Sequence, residues 1–212
     1  MNVKTFENKR WLGGDQKVEF RHAATLDMIS SGKVLDLGSG DGLLLSLLKE
    51  KGVAGEGLDI SEEGVSKTRA KGIDASVFDF SNKLPFSDSI FDTVIMLDLL
   101  EHLYDPESLL KEAVRVSKKD VIIGVPNFSS LPARLQMLFG KVPENNHPKK
   151  GHIFWFNYKV LQSMCLRSGT RFIDVRSNTF FQSVPVISFC TQLLTKIAPS
   201  LFSLSFIVKI SK

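Results

Sequence analysis

One stretch constrains this chain more than any other: residues 33–50, KVLDLGSGDGLLLSLLKE, read as a strand, a glycine-rich turn and a helix laid end to end. Residues 33–37 are a short apolar run stopped by Gly38, as in a buried strand. Residues 43–50 are strong helix formers with Gly52 just beyond them. Glycine at 38, 40 and 42 lets the main chain turn sharply and lets a ligand approach it closely. Such a ligand lies at the carboxyl edge of a sheet, beside the first crossover helix.

The rest of the chain extends this pattern. Residues 53–60, 75–80, 91–97 and 120–125 predict further strands. Ser61 is a good N-cap followed by Glu62 and Glu63, and Pro106 suits the first turn of a helix running to about Ser117. Strands and helices alternating from 33 to 125 predict an α/β fold: a Rossmann-like three-layer α/β/α sandwich on a mostly parallel sheet. Residues 126–156 read as an irregular excursion with a short helix near 131–139. Asn157 caps a helix ending before Gly169, and residues 171–180 and 204–210 are strands. The apolar but polar-punctuated segment 181–203 has two readings: a helix packed on the sheet, or a surface that touches lipid or a greasy substrate. The expected organisation is one domain, 1–212, with an N-terminal helical lid (1–32), a cofactor-binding half (33–125) and a substrate-side half (126–212).

Two ligand classes compete for the glycine turn. A dinucleotide fingerprint needs a small residue at the third place, and here that place holds Leu43. Asp36 and Asp41 also flank the turn, where they would repel a pyrophosphate. A cationic ligand is favoured instead, and S-adenosylmethionine carries a sulfonium and an ammonium but no phosphate. Asp59, at the end of the second strand, can accept both hydroxyls of a ribose. Asp79, between Phe78 and Phe80, is placed to accept from an adenine amino group, or to cap its strand end.

Charge and cysteine content set further bounds. Residues 118–212 carry 13 Lys/Arg against three acids, whereas the first 117 residues are net acidic. A basic half has two readings, a surface that attracts anionic substrates, membranes or nucleic acid, or a plain solvated surface. Its bases are scattered singly apart from Lys118-Lys119 and Lys149-Lys150 and form no concentrated nucleic-acid stripe. Cys165 and Cys190 lie in no metal or redox spacing and are expected to be buried thiols. With a charged start, Met1 to Leu12, they suggest a cytoplasmic protein.

The segments VLDLGSGDG, GLDIS and LPFSDSIFDTVIMLDLLEHLYDP resemble the class I S-adenosylmethionine-dependent methyltransferases, in the branch with UbiG-like enzymes. GVPNFSSLPARLQMLFGKVP followed by GHIFWFNYKVLQSMC is similar to MetW proteins. It departs from them at Ser39, where MetW has Cys, and at Asn146–Lys150, which replaces a Trp-Tyr-Asp-Thr-Pro stretch. The resemblance implies seven strands with the last antiparallel. It implies S-adenosylmethionine as cofactor and S-adenosylhomocysteine as product. Asp36, Gly38, Ser39 and Gly40 would then lie near the methionine half, Asp59 and Ile60 at the ribose, and Asp79 and Phe80 at the adenine. Leu97 would offer its carbonyl to the ammonium, and Arg21 would pair with the cofactor carboxylate.

Methyl transfer chiefly requires alignment, with a base only where the acceptor is protonated. His102, in Glu101-His102 after the fourth strand, is the candidate base; its alternative is to orient the loop. His152, in the aromatic HIFWFNY segment, faces the acceptor or is structural. No metal-ligand spacing and no nucleophile elbow is present in the sequence. The expected partner is a small-molecule acceptor. A second copy of the chain, a peripheral membrane contact and, through MetW, a homoserine acyltransferase stand beside it.

Overall fold

A computed structural model describes residues 3–11, 17–29, 31–144, 150–180 and 185–212. In chain order the elements are α1 (Val3–Trp11), α2 (Phe20–Met28), β1 (Lys33–Leu37), α3 (Leu43–Glu50), β2 (Ala54–Asp59), α4 (Glu62–Ala70), β3 (Asp74–Val77) and β4 (Phe91–Leu97). A 3₁₀ turn (Leu100–His102) leads to α5 (Pro106–Val116) and β5 (Ser117–Pro126). Then come α6 (Leu131–Leu138), α7 (Tyr158–Arg167), β6 (Arg171–Thr179), α8 (Pro185–Ile197), α9 (Pro199–Phe202) and β7 (Ser203–Ser211).

The seven strands form one sheet in the order β3-β2-β1-β4-β5-β7-β6. β1 through β5 pair in parallel, and β7 runs antiparallel between β5 and β6. Side chains alternate between two apolar layers. Leu35, Leu37, Val94, Met96, Val121, Ile123, Phe206 and Val208 pack on one face against α5 and α7. Val34, Ile95, Ile122 and Ile207 pack on the other against α2 and α3. A sheet buried on both faces explains why its strands read as continuous apolar runs.

The caps expected at Ser61 and Asn157 are present, and Asp105 adds a third. Ser61 Oγ accepts from Gly64 N at 3.1 Å, Asp105 from Ser108 N at 3.1 Å, and Asn157 Oδ1 from Val160 N at 3.0 Å. Three expectations are corrected. β3 stops at Val77, because the Asp79 carboxylate accepts from Ser81 N at 3.0 Å and turns the chain locally. β5 begins at Ser117, since the pairing of Ser117 with Phe91 extends it ahead of its apolar run. Cys165 is buried, and burial pushes its thiol up to about 12, but Cys190 is exposed. No described helix is long and apolar enough to cross a membrane.

Candidate functional site

After β3 the chain returns across β1 to β4, so the carboxyl ends of β1 and β4 form a topological switch point. The sheet delivers Asp36 one residue from the end of β1, Asp59 at the end of β2 and Leu97 at the end of β4. Above them lies a cavity of about 550 Å³, bordered by Asp36, Gly38, Ser39, Asp59, Ile60, Asp79, Phe80 and Leu97. Arg21 and His102 also line it. All the predicted cofactor residues except Gly40 therefore line one cavity, and Gly40 lies in the turn beneath it.

The turn is built as its glycines require. Gly38, Gly40 and Gly42 have φ of 78°, 55° and 75°, the left-handed region that side chains rarely enter. Asp59 fastens the turn: its Oδ2 accepts from Gly40 N and its Oδ1 from Ser61 N, each at 2.8 Å. Trp11, at the end of α1, packs its ring against Gly40 and leaves no room for a Cβ there. Ser61 Oγ donates to Asn8 Oδ1 at 2.7 Å and ties α1 to α4.

The cavity is electrostatically lopsided. Seven acidic side chains line it (Glu7, Asp36, Asp41, Asp59, Asp79, Asp98 and Asp105) against one guanidinium, that of Arg21. Burial, and then the neighbouring Asp59, push the Asp36 carboxyl up to about 8. Asp41 is offset by Lys71, whose Nζ lies 3.5 Å from Oδ2. Asp79 is exposed, and its bonds to Ser81 hold it below the usual carboxylate range. This donor set fits a ligand with positive charge and ribose hydroxyls, and opposes a pyrophosphate.

Arg21 stands in the first turn of α2, with Nη1 2.9 Å from Asp98 Oδ2 and 2.6 Å from Glu19. Asp98 has φ 49° and donates its N–H to the Gly124 carbonyl at 2.9 Å. Neither Asp98 nor Trp11 was identifiable from the sequence. Asp98 adjoins a strand end with no motif of its own, and α1 lacks an amphipathic pattern. His22, patternless in sequence, caps α2: its Nδ1 accepts from Glu19 N at 3.0 Å.

A second cavity of about 1130 Å³ meets the first at Arg21, Asp98 and His102. It is lined by Glu101, Pro126, Ser130, Gln136, Lys150 and His152, among others. The two candidate catalytic histidines come together here, with ring centroids 4.9 Å apart. His102 Nδ1 lies 3.2 Å from the Gly151 carbonyl. His152 Nε2 lies 3.9 Å from Oε1 of the buried Glu101. The main-chain carbonyl of Glu101 accepts from Ile153 N and Phe154 N, at 2.8 and 3.0 Å. Of the segment that departs from MetW, residues 146–149 lie outside the described residues.

Comparisons with known proteins agree with this architecture. A bifunctional methionine biosynthesis protein MetXA/MetW of Rhodopirellula baltica is 34% identical over 115 residues, covering 49% of this chain and 18% of that protein. A ubiquinone biosynthesis O-methyltransferase of Idiomarina loihiensis is 30% identical over 95 residues, 41% of this chain and 38% of that one. The chain thus spans well under two thirds of these relatives. Among solved structures, a magnesium protoporphyrin IX methyltransferase of Synechocystis with bound SAH superposes with a TM-score of 0.67 at 18% identity, over 100% of this chain and 95% of that one. A SAM-dependent methyltransferase of Thermotoga maritima gives 0.66 at 20%, over 91% and 87%. At these identities the likeness is one of fold. The family model described as "Methionine biosynthesis protein MetW" matches residues 20–204, and the chain belongs to the MetW family.

Proposed function

We propose that this protein is a methyltransferase that binds S-adenosylmethionine over the glycine turn and methylates a small molecule held in the adjoining cavity. The observation that carries this reading is the junction of an acid-lined cavity of about 550 Å³ with a larger one of about 1130 Å³. Both volumes suit small ligands. Asp36 and the turn would hold the methionine half, Asp59 and Ile60 the ribose, and Asp79 and Phe80 the adenine. Arg21 would meet the cofactor carboxylate, with Asp98 fixing its guanidinium. When bound, the cofactor supplies an activated methyl group, so the chain's task is alignment and, for a protonated acceptor, proton removal. His102 lines both cavities, which supports it as the base for that removal. Its Nδ1 faces a carbonyl, which can only accept, so Nδ1 carries the hydrogen and Nε2 is left as the base. Titration calorimetry with S-adenosylhomocysteine tests the reading. Binding is expected, and no heat at millimolar ligand, or binding of NADH instead, would overturn it.

The Rhodopirellula protein, whose name pairs MetXA with MetW, favours a second reading. Here the chain is an accessory partner of a homoserine acyltransferase in methionine biosynthesis. Co-purification with such an enzyme, or a change in its activity, separates this from methyl transfer, because both readings share cofactor binding.

The surface supports a further proposal, a peripheral membrane contact. After β5 the chain exposes Leu138, Phe139 and Val142, and α8 exposes Phe189, Leu193 and Ile197. Apolar side chains this exposed, in a half with 13 bases against three acids, suit a peripheral contact with an anionic bilayer.

A further inference from the structure

The sequence shows no metal-ligand spacing, yet the fold assembles one. One ring nitrogen each of His102 and His152 and a carboxylate oxygen of Glu101 lie within 4.8 Å of one another. We infer that Glu101, His102 and His152 form a binding site for one divalent transition-metal ion in the wall of the larger cavity.

Four observations support this. First, the donor set of two imidazoles and one carboxylate suits zinc, cobalt, manganese or iron, and three protein ligands leave positions open to the cavity. Second, the His102 ring is oriented as a ligand. Its Nδ1–H donates to the Gly151 carbonyl at 3.2 Å, which leaves the lone pair on Nε2. A metal-bound histidine typically gives its other N–H to a carbonyl or carboxylate in this way. Third, the loop bearing His152 is stapled to the turn bearing the other two residues, through Ile153 N and Phe154 N on the Glu101 carbonyl. Residues 50 positions apart are thereby held as one unit. Fourth, the spacing is close to that of a coordination shell. Ligand atoms on an ion with bonds of about 2.1 Å sit about 3.0–3.4 Å apart. The Glu101–His152 pair, at 3.9 Å, is already near that separation. The widest separation needs about 1–2 Å of side-chain rotation.

The inference deepens the methyl-transfer reading and rests on it for its purpose. An ion at this position borders the junction of the two cavities, and it would favour an acceptor that presents an oxygen. A hydroxyl beside a divalent cation loses its proton more readily. Because the ion would take the Nε2 lone pair of His102, that proton would pass to solvent in the cavity, and His102 would serve as the base only in the metal-free protein.

The experiment uses tag-free, full-length protein stripped with a chelator. Cobalt(II) is titrated and followed by its visible absorption, then displaced with zinc. S-adenosylhomocysteine binding and circular dichroism are measured in parallel. One cobalt per chain is expected. Glu101→Gln and His152→Ala should each weaken cobalt binding tenfold or more while S-adenosylhomocysteine affinity stays within twofold, since neither side chain lines the smaller cavity. His147→Ala should leave cobalt binding unchanged. If Glu101→Gln does not fold, His152→Gln provides the same reading. Wild-type protein that binds S-adenosylhomocysteine but no cobalt overturns the site and spares the methyl-transfer reading. Cobalt binding without S-adenosylhomocysteine binding does the reverse. Cobalt affinity that survives both variants, or that follows His147, also overturns it.

Discussion

Asp36 makes the electrostatic argument measurable as proton release. Its carboxyl titrates near 8 because burial and Asp59 both oppose its ionisation. At pH 7 about nine-tenths of the free protein therefore holds the Asp36 proton. An opposite charge within a few ångströms lowers a carboxyl by about 1–3 units. A sulfonium or ammonium seated there would bring Asp36 to between about 5 and 7. Binding at pH 7 then releases about 0.4–0.9 proton, and at pH 9.5, where Asp36 is already ionised, almost none. Titration calorimetry with S-adenosylmethionine, in buffers of low and high ionisation enthalpy, reads this number directly. Subtracting Asp36→Asn removes any proton exchanged by the ligand's own amine. The variant should also bind about tenfold more weakly, having lost a charge-assisted partner. Equal proton release by wild type and Asp36→Asn at pH 7 would refute the reasoning, since the ligand's charge would then not be meeting this carboxylate.

The same group makes stability depend on pH. Because its folded value lies above its unfolded value of about 3.9, the fold loses about 1.4 kcal/mol per pH unit between roughly pH 4 and 8. Asp36→Asn should abolish that slope in denaturant melts followed by circular dichroism, and an unchanged slope counts against the burial of Asp36. Asp59→Asn would set an amide donor against one of two main-chain donors, Gly40 or Ser61. It should cost about 1–3 kcal/mol, a Tm drop of several degrees, and weaken S-adenosylhomocysteine binding. Trp11→Ala removes a side chain buried against Gly40 and should lower the Tm by several degrees and weaken S-adenosylhomocysteine binding; an unchanged Tm and affinity would show that this packing does not hold the turn. Vesicles of phosphatidylglycerol should co-sediment the protein at low salt, and Leu138→Asp with Phe139→Asp should release it. Sedimentation indifferent to both changes refutes the bilayer contact.

The sheet was legible because strand and helix patterns are local. KVLDL and FDTVIML are mostly apolar because both faces of their strands are covered, and LLLSLLKE carries its own helix propensity. The glycine turn was equally plain, since only glycine enters the left-handed region freely at 38, 40 and 42. Boundaries failed where a partner or a side chain intervened. β3 ended early at the Asp79–Ser81 turn, and β5 began early on its pairing with Phe91. The expectation for Cys190 failed because α8 turns part of its apolar surface outward.

Asp36, Gly38, Asp59 and Leu97 are each tied to the end of a strand, so their common place at one sheet edge follows from strand order alone. By itself the sequence thus determined a mostly parallel α/β sheet and a turn lined by acidic side chains. What it left open depended on loops. Only the tertiary structure brings Arg21 to Asp98, lays Trp11 over Gly40, and places His152 against Glu101 and His102. Those meetings join parts of the chain far apart in sequence. Periodicity and propensity act over a few residues, whereas such convergence is set by how the connecting segments pack.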